Sequence, residues 1–130
     1  IETIVKAVET HALSGLIVSN TTLERPESLQ SRHKGEAGGL SGLPLKTRST
    51  EVLRQFRRLA GPDLPIIGVG GIDGPDAAYA RIRAGANAVQ LYTALVYQGP
   101  GLALRIREGL AQRLKADGFE HVSEAVGVDA

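Results

Sequence analysis

Short apolar runs alternate with stretches of helical spacing along the 130 residues of this chain. The apolar runs predict three buried parallel strands, at residues 15–19, 65–69 and 88–92. Apolar residues at helical spacing predict four helices, over residues 1–12, 49–60, 75–85 and 99–118. Ser49 is the predicted N-cap of the second helix, with Glu51 in its first turn. A last short helix is predicted over residues 123–126.

This alternation of helices and strands is typical of a parallel α/β sheet. Two architectures fit it: a small open sheet of the doubly wound kind, or a piece of a (β/α)8 barrel. A complete barrel has about 250 residues, so 130 residues would hold only part of one. The chain also begins inside a predicted helix without an initiator Met, which favours a fragment of a longer protein.

The composition is that of an ordinary globular protein, with 42% hydrophobic residues, 22% charged residues and a formal net charge of +1. Such a balance gives no electrostatic footprint for nucleic acid. No apolar run approaches the roughly 18 residues of a membrane-spanning helix. The absence of cysteine excludes disulfides, zinc-thiolate sites and thiol nucleophiles within the chain. The three histidines show no spacing that indicates a metal site.

Polar residues follow the first predicted strand, where parallel α/β sheets bind ligands. Ser19, Asn20, Thr21 and Thr22 offer hydroxyl and amide groups that suit a small ligand with carbonyls and ring nitrogens. An ordinary turn with local side-chain hydrogen bonds is an equally good interpretation. Arg25, Arg32, His33 and Lys34 give the long polar stretch that follows, over residues 20–48, a basic bias, and most of these charges are interpreted as solvated.

Glycines follow the second predicted strand and recur in the long polar stretch. Gly70 and Gly71 let backbone amides approach an anion, although a simple tight turn explains them too. The dinucleotide-binding spacing of glycines is absent. Residues 38–42 form either a flexible linker or a loop that covers a cofactor. Tyr92 and Thr93, at the predicted end of the third strand, either meet the same phosphate as the glycines or only pack.

Five strings of the sequence together resemble the quinone-linked, class 2 dihydroorotate dehydrogenases. They are LIVSNTT at 16–22, GGLSG at 38–42, PIIGVGGI at 65–72, VQLYT at 89–93 and YQGP at 97–100. They occur in the order and with the spacing of that family, through nearly the whole chain. The last two strings favour the quinone-reducing class over the soluble class.

The resemblance implies an α/β fold that is the C-terminal portion of a (β/α)8 TIM barrel, its last three β/α units. Residues 1–130 would then be one segment of a single FMN-binding domain, without its N-terminal strands and membrane-associating helices. In that family the serine base comes from an earlier loop, and a lysine near the flavin comes from an earlier strand. The resemblance therefore implies no catalytic residue in this chain, and no metal.

The resemblance also implies the ligands. FMN would be held by Ser19, Gly42, Gly70, Gly71, Tyr92 and Thr93. Asn20 and Thr21 would bind the pyrimidine of dihydroorotate. The intact enzyme would oxidise dihydroorotate to orotate for pyrimidine biosynthesis and pass electrons to a quinone, attached peripherally to the cytoplasmic side of the inner membrane. Its partners would be substrate, quinone and the remainder of the barrel, and not nucleic acid.

Two other functions stay open at this stage. One is another FMN-dependent barrel oxidoreductase, and the other is a non-catalytic, phosphate-binding half-barrel that assembles with its own copy. A three-strand sheet has two open edges that invite pairing with other chains. We therefore expect that the isolated 130 residues neither fold stably nor bind FMN.

Overall fold

The computed structural model describes residues 1–130 as a three-stranded sheet with helices before, between and after its strands. The elements are, in chain order, α1 (Glu2–Thr10), β1 (Leu16–Val18), α2 (Lys46–Ala60), β2 (Ile66–Val69), α3 (Pro75–Arg83), β3 (Ala88–Gln90), α4 (Thr93–Gln98) and α5 (Gly101–Ala116). Two 3-10 turns, Leu43–Leu45 and Val122–Ala125, complete the fold. None of the helices is both long and apolar enough to span a membrane.

The sheet is parallel, and its strands are neighbours in the same order as in the chain, β1-β2-β3. Val18 of β1 is level with Gly68 of β2, which is level with Val89 of β3. The strands therefore end together at one edge, and the segments that leave them meet there. This in-order, parallel arrangement confirms the α/β fold predicted from the sequence.

The main hydrophobic core lies between the sheet and the helices that cover one of its faces. Leu53 of α2 and Ile66 of β2 are completely buried in it. The side chains on the opposite face lack this cover, so Ile17 is 61% exposed. The prediction of fully buried strands is therefore wrong for β1 and for β3, where Ala88 is exposed. Their apolar runs fit strands whose second face also packs, because alternate side chains point to opposite faces.

A second core fixes α5 and the turn that follows β2. Leu102 and Ile106 of α5 are buried against Ala78 of α3 and Ile72, which follows the glycine pair. The apolar stripe of α5 was predicted from its spacing, and its burial here is the reason for that spacing. The packing places α3 and α5 beside each other under the same sheet edge.

Two helix predictions are wrong. The helix α2 begins at Lys46 rather than at Ser49, directly after the 3-10 turn Leu43–Leu45. Ser49 is therefore inside the helix, where its hydroxyl lies 2.7 Å from the Leu45 carbonyl oxygen. The helix α4 was not predicted at all, because it has six residues and none of them is buried. It occupies a segment expected to be the end of β3 and the approach to α5.

Candidate functional site

A cavity of about 590 Å³ opens at the carboxyl edge of the sheet. Residues from all three strand ends, the long loop, the α2 approach and α4 line it. All eight residues that the resemblance assigns to the two ligands are in its wall, namely Ser19, Asn20, Thr21, Gly42, Gly70, Gly71, Tyr92 and Thr93. Thr22, whose side chain was also considered for a ligand, is not in the wall. The structure thus brings the predicted residues together, and their individual ligands stay predictions.

Asn20 and Thr21 form one wall of the cavity just after β1. The Asn20 Oδ1 atom accepts a hydrogen bond from the Thr21 backbone amide at 2.8 Å. This bond fixes which end of the side-chain amide carries the oxygen, and it leaves the Nδ2 group with no acceptor in the chain. Asn20 therefore presents two free N–H donors to a ligand in the cavity.

Arg25 organises the long loop that carries both this wall and Gly42. Its guanidinium donates hydrogen bonds to six backbone carbonyl oxygens, those of Thr22, Leu23, Glu24, Lys34, Glu36 and Gly38. The strongest of them, to Gly38, is 2.6 Å long. Arg25 is therefore an exception among the basic residues of this loop, most of which are exposed as predicted. Only the tertiary fold could show this, since the six acceptors are backbone atoms and carry no sequence signal.

The loop closes back on itself beside the cavity. The backbones of Thr22 and Leu40 exchange two hydrogen bonds, of 3.1 and 2.7 Å. A side chain at Gly39 would collide with the hydroxyl of Thr21, so the glycine permits this close approach. Of residues 38–42, Ser41 and Gly42 line the cavity, and the paired backbone before them argues against a flexible linker.

Several backbone amides of the cavity wall donate no hydrogen bond within the chain, and four of them lie where the predicted phosphate site is. These four belong to Gly42, Gly70, Gly71 and Tyr92. Gly70 and Gly71 have φ angles of +100° and +70°, which glycine adopts without strain. A Cβ at Gly71 would also lie 2.5 Å from the backbone nitrogen of Lys46. Unpaired amides in a glycine turn are the donors that proteins use to bind phosphate groups.

Four further polar residues line the cavity that the sequence had not indicated, namely Ser41, Asp73, Tyr97 and Gln98. The hydroxyl of Thr93 donates to that of Ser41 at 3.0 Å, which joins α4 to the loop. Asp73 accepts a hydrogen bond from Lys46 at 3.0 Å. Ser41 lies inside the GGLSG string, and Tyr97 and Gln98 lie inside the YQGP string, although neither string singled these residues out as ligands. Asp73 lies just beyond the PIIGVGGI string.

A buried arginine lies beneath the glycine pair. Arg81 of α3 is 1% exposed, and its guanidinium donates to the carbonyl oxygens of Val69 at 3.1 Å and Gly70 at 2.8 Å. It also donates to the hydroxyl of Ser49 at 2.7 Å. No carboxylate pairs with it, and its Nε atom has no partner. Burial lowers the pKa of Arg81 to about 10, so the group stays charged at neutral pH.

A sequence model of the dihydroorotate dehydrogenase family matches residues 1–114 of the chain. The chain belongs to the dihydroorotate dehydrogenase family. The match covers all three strands and most of α5, so it includes every residue of the cavity wall. The family resemblance of the five sequence strings is thereby confirmed.

Curated relatives agree with this membership. The chain is 60% identical over 117 residues to the dihydroorotate dehydrogenase (quinone) of Rhodospirillum rubrum, covering 90% of this chain and 32% of that protein. The protein of the same name from Xanthobacter autotrophicus is also 60% identical over 117 residues, covering 90% of this chain and 33% of that protein. The chain thus spans about a third of the length of the relatives it matches.

Solved structures agree on the fold. The ligand-free dihydroorotate dehydrogenase of Eimeria tenella superposes with a TM-score of 0.94 at 44% sequence identity, covering 98% of this chain and 36% of that one. The same enzyme in complex with ferulenol gives the same score and identity and is covered to 34%. The three β/α units are therefore part of a (β/α)8 barrel, and the open doubly wound sheet is excluded.

Proposed function

We propose that this chain forms the flavin-phosphate side and one pyrimidine-binding wall of a quinone-linked dihydroorotate dehydrogenase. The observation that carries the proposal is the single cavity that gathers all eight residues expected to bind FMN or dihydroorotate. These residues come from a loop, a glycine turn and the start of a helix, which are far apart in the sequence. Their meeting in one cavity is not expected by chance. Membership of the family and the word quinone in the names of both relatives support the same activity.

The cavity has the features that an FMN site needs. Its volume of about 590 Å³ falls within the roughly 300–1,000 Å³ of small-molecule sites. The amides of Gly42, Gly70, Gly71 and Tyr92 are available for phosphate oxygens. Ser19 and Thr93 add hydroxyl groups to the same wall. These residues fit a phosphate monoester attached to a larger planar group, which is the form of FMN.

The pyrimidine side fits dihydroorotate, whose ring carbonyls and carboxylate are hydrogen-bond acceptors. Asn20 has a free side-chain amide for them, and the Thr21 hydroxyl lies beside it. One such hydrogen bond contributes about 0.5–1.5 kcal/mol net, and about 1.5–3 kcal/mol when the acceptor is charged. Both residues are exposed in the chain alone, so bound substrate would remove water from them.

This chain supplies position and not proton transfer in the proposed reaction. When FMN is bound, the chemistry that it supplies is the acceptance of hydride from the substrate. The one carboxylate of the cavity wall, Asp73, is bonded to Lys46 at 3.0 Å and so is held in an ion pair. We place the proton-abstracting base outside these residues. Delivery of electrons to a quinone, at the cytoplasmic side of the inner membrane, belongs to the same proposal.

The decisive experiment replaces the matched 117 residues of the Rhodospirillum rubrum enzyme by the corresponding residues of this chain. The chimera should purify with bound flavin and should reduce a short-chain quinone only when dihydroorotate is added. Flavin binding without dihydroorotate turnover would favour another FMN-dependent oxidoreductase. A chimera that folds, by circular dichroism, yet carries no flavin would reject the proposed FMN site. A non-catalytic half-barrel predicts phosphate binding by the natural gene product that carries these residues, without flavin or turnover.

A further inference from the structure

The buried side chain of Arg81 runs beneath the strand that ends in the glycine pair. Its stem fills the space beside Gly68 of β2, where a Cβ would collide with the Arg81 side chain. Its guanidinium then reaches the carbonyl oxygens of Val69 and Gly70. Ser49 of α2 joins the same cluster, with its hydroxyl 2.9 Å from the Gly70 oxygen. Arg81 is not part of the cavity wall, although both glycines are.

These two hydrogen bonds decide where the amides of the turn point. In a trans peptide the carbonyl and the amide of one unit point in opposite directions. The units that join Val69 to Gly70 and Gly70 to Gly71 are both trans. Because Arg81 holds both carbonyl oxygens on its own side, the amides of Gly70 and Gly71 must point away from it. Both amides lack an acceptor in the chain, and both residues face the cavity.

The charge of Arg81 is also uncompensated. Buried cations are costly unless an opposite charge lies near them. No carboxylate lies within ion-pair distance of Arg81, and its partners are carbonyl and hydroxyl oxygens. An anion on the far side of the Gly70–Gly71 turn would supply the missing negative charge. Because the Arg81 side chain is itself buried, solvent screens its charge less than it screens the charge of a surface arginine.

We infer that Arg81 is the positioning residue of the phosphate site: it orients the Gly70 and Gly71 amides into the cavity, and its charge strengthens the binding of a phosphate monoester there. The inference rests on the proposed FMN site and deepens it. The inference predicts that Arg81 affects binding of the ligand's phosphate and not binding of the remainder of the ligand. A purely structural arginine would support every ligand of the cavity equally.

The test compares FMN with riboflavin, which has the same ring system but no phosphate. Dissociation constants of both are measured by flavin fluorescence on the natural gene product that carries these residues, stripped of cofactor. Arg81→Met should weaken FMN binding by about tenfold or more and riboflavin binding by less than about threefold. Arg81→Lys keeps the charge, so its dissociation constant for FMN should lie between those of Arg81→Met and the wild type.

Arg57→Met is the matched control. Arg57 is also buried, at 5% exposure, and bonds to the carbonyl oxygens of Gly61, Pro62, Leu64 and Gly85, none of which lines the cavity. Burial lowers the pKa of Arg57 as well. If Arg57→Met and Arg81→Met change the ratio of FMN affinity to riboflavin affinity equally, Arg81 has no specific role in phosphate binding. An unchanged ratio in Arg81→Met alone would also overturn the inference.

Two further outcomes are separated by design. A wild-type protein that binds neither flavin would refute the proposed FMN site itself, before any variant is compared. If Arg81→Met does not fold, Ser49→Ala removes only the hydroxyl that accepts a hydrogen bond from Arg81 and lies 2.9 Å from the Gly70 oxygen. That variant should weaken FMN binding more than riboflavin binding, by a smaller factor than the loss of charge. Equal weakening of both flavins by Ser49→Ala would contradict the inference.

Discussion

Replacing Arg25 by Ala is predicted to loosen the loop of residues 20–42 without unfolding the protein. The six carbonyl oxygens that accept from Arg25 come from both arms of this loop, so its guanidinium holds the arms together. Both arms carry residues of the cavity wall, Asn20 and Thr21 on one and Gly42 on the other. The core residues Leu53 and Ile66 do not depend on it.

The magnitude follows from the exposure of these contacts. A hydrogen bond from a charged donor contributes about 1.5–3 kcal/mol where water is excluded. Arg25 is only half-buried, and five of its six hydrogen bonds are exposed, so water replaces most of the lost donors in the variant. We therefore expect the free energy of local opening to fall by about 1–2 kcal/mol. Amide exchange in the loop should then accelerate by roughly 5- to 30-fold.

Hydrogen exchange followed by mass spectrometry on the natural gene product measures this directly. Peptides from residues 20–42 should exchange faster in Arg25→Ala, while peptides from α2 and β2 should keep their protection. Arg32→Ala is the control, because Arg32 is exposed in the same loop and bonds only to the neighbouring His33 ring, at 3.0 Å. Unchanged exchange in Arg25→Ala, or an equal effect of Arg32→Ala, would show that Arg25 does not organise the loop.

Three other perturbations follow from the site and the surface. Asn20→Ala should raise the Michaelis constant for dihydroorotate about tenfold in steady-state kinetics, because one donor to the substrate is lost. Gly71→Ala should lower the free energy of unfolding in denaturant by about 2–4 kcal/mol, since its φ is +70° and its Cβ would lie 2.5 Å from α2 backbone. Gly74→Ala, with open space around it, should change little. Hydrogen bonds from Arg83 lower the pKa of Asp129 below its ordinary value of 3.8, so their stabilisation is complete above that value and is lost as the pH falls through the lowered pKa.

Each of these has a clear contrary result. An unchanged Michaelis constant in Asn20→Ala would remove that residue from the substrate site. Equal stability of the Gly71→Ala and Gly74→Ala proteins would show that the turn relaxes without cost. For the acid-side prediction, Asp129→Asn should lower the melting temperature at neutral pH and reduce its decline below about pH 4. A decline in Asp129→Asn as steep as in the wild type would assign the acid sensitivity to other groups.

The strands and the location of the cavity could be predicted from sequence because both depend on local patterns. The apolar runs identified β1, β2 and β3 to within two residues at each end. The rule that ligands bind at the carboxyl ends of parallel strands then selected Asn20, Gly70 and Thr93. The rule needs only strand direction, which the alternation with helices supplies, and not the details of packing.

The remainder depended on contacts that a linear pattern does not contain. Ser49 is of a residue type favoured at N-caps, but the helix begins three residues earlier, at Lys46. Its hydroxyl therefore bonds to the Leu45 carbonyl oxygen inside the protein and lies near Gly70. Arg25 and Arg81 have charged side chains that usually meet solvent, and both bond instead to backbone carbonyls of distant residues. Backbone acceptors are present at every position, so they give no sequence signal.

The contact between Gly68 and the stem of Arg81 restricts the order in which mutations can accumulate. Any side chain at position 68 requires the Arg81 stem to leave its space first. A long side chain at position 81 in turn requires glycine at position 68. A path that changes both positions therefore needs residue 81 to shorten before residue 68 grows, and Leu53, whose Cδ1 would lie 3.0 Å from the new Cβ, to adjust as well. Because Arg81 holds the Val69 and Gly70 carbonyl oxygens, such changes also alter the orientation of the Gly70 and Gly71 amides. Mutations at these two core positions would therefore be selected for or against through their effect on ligand affinity.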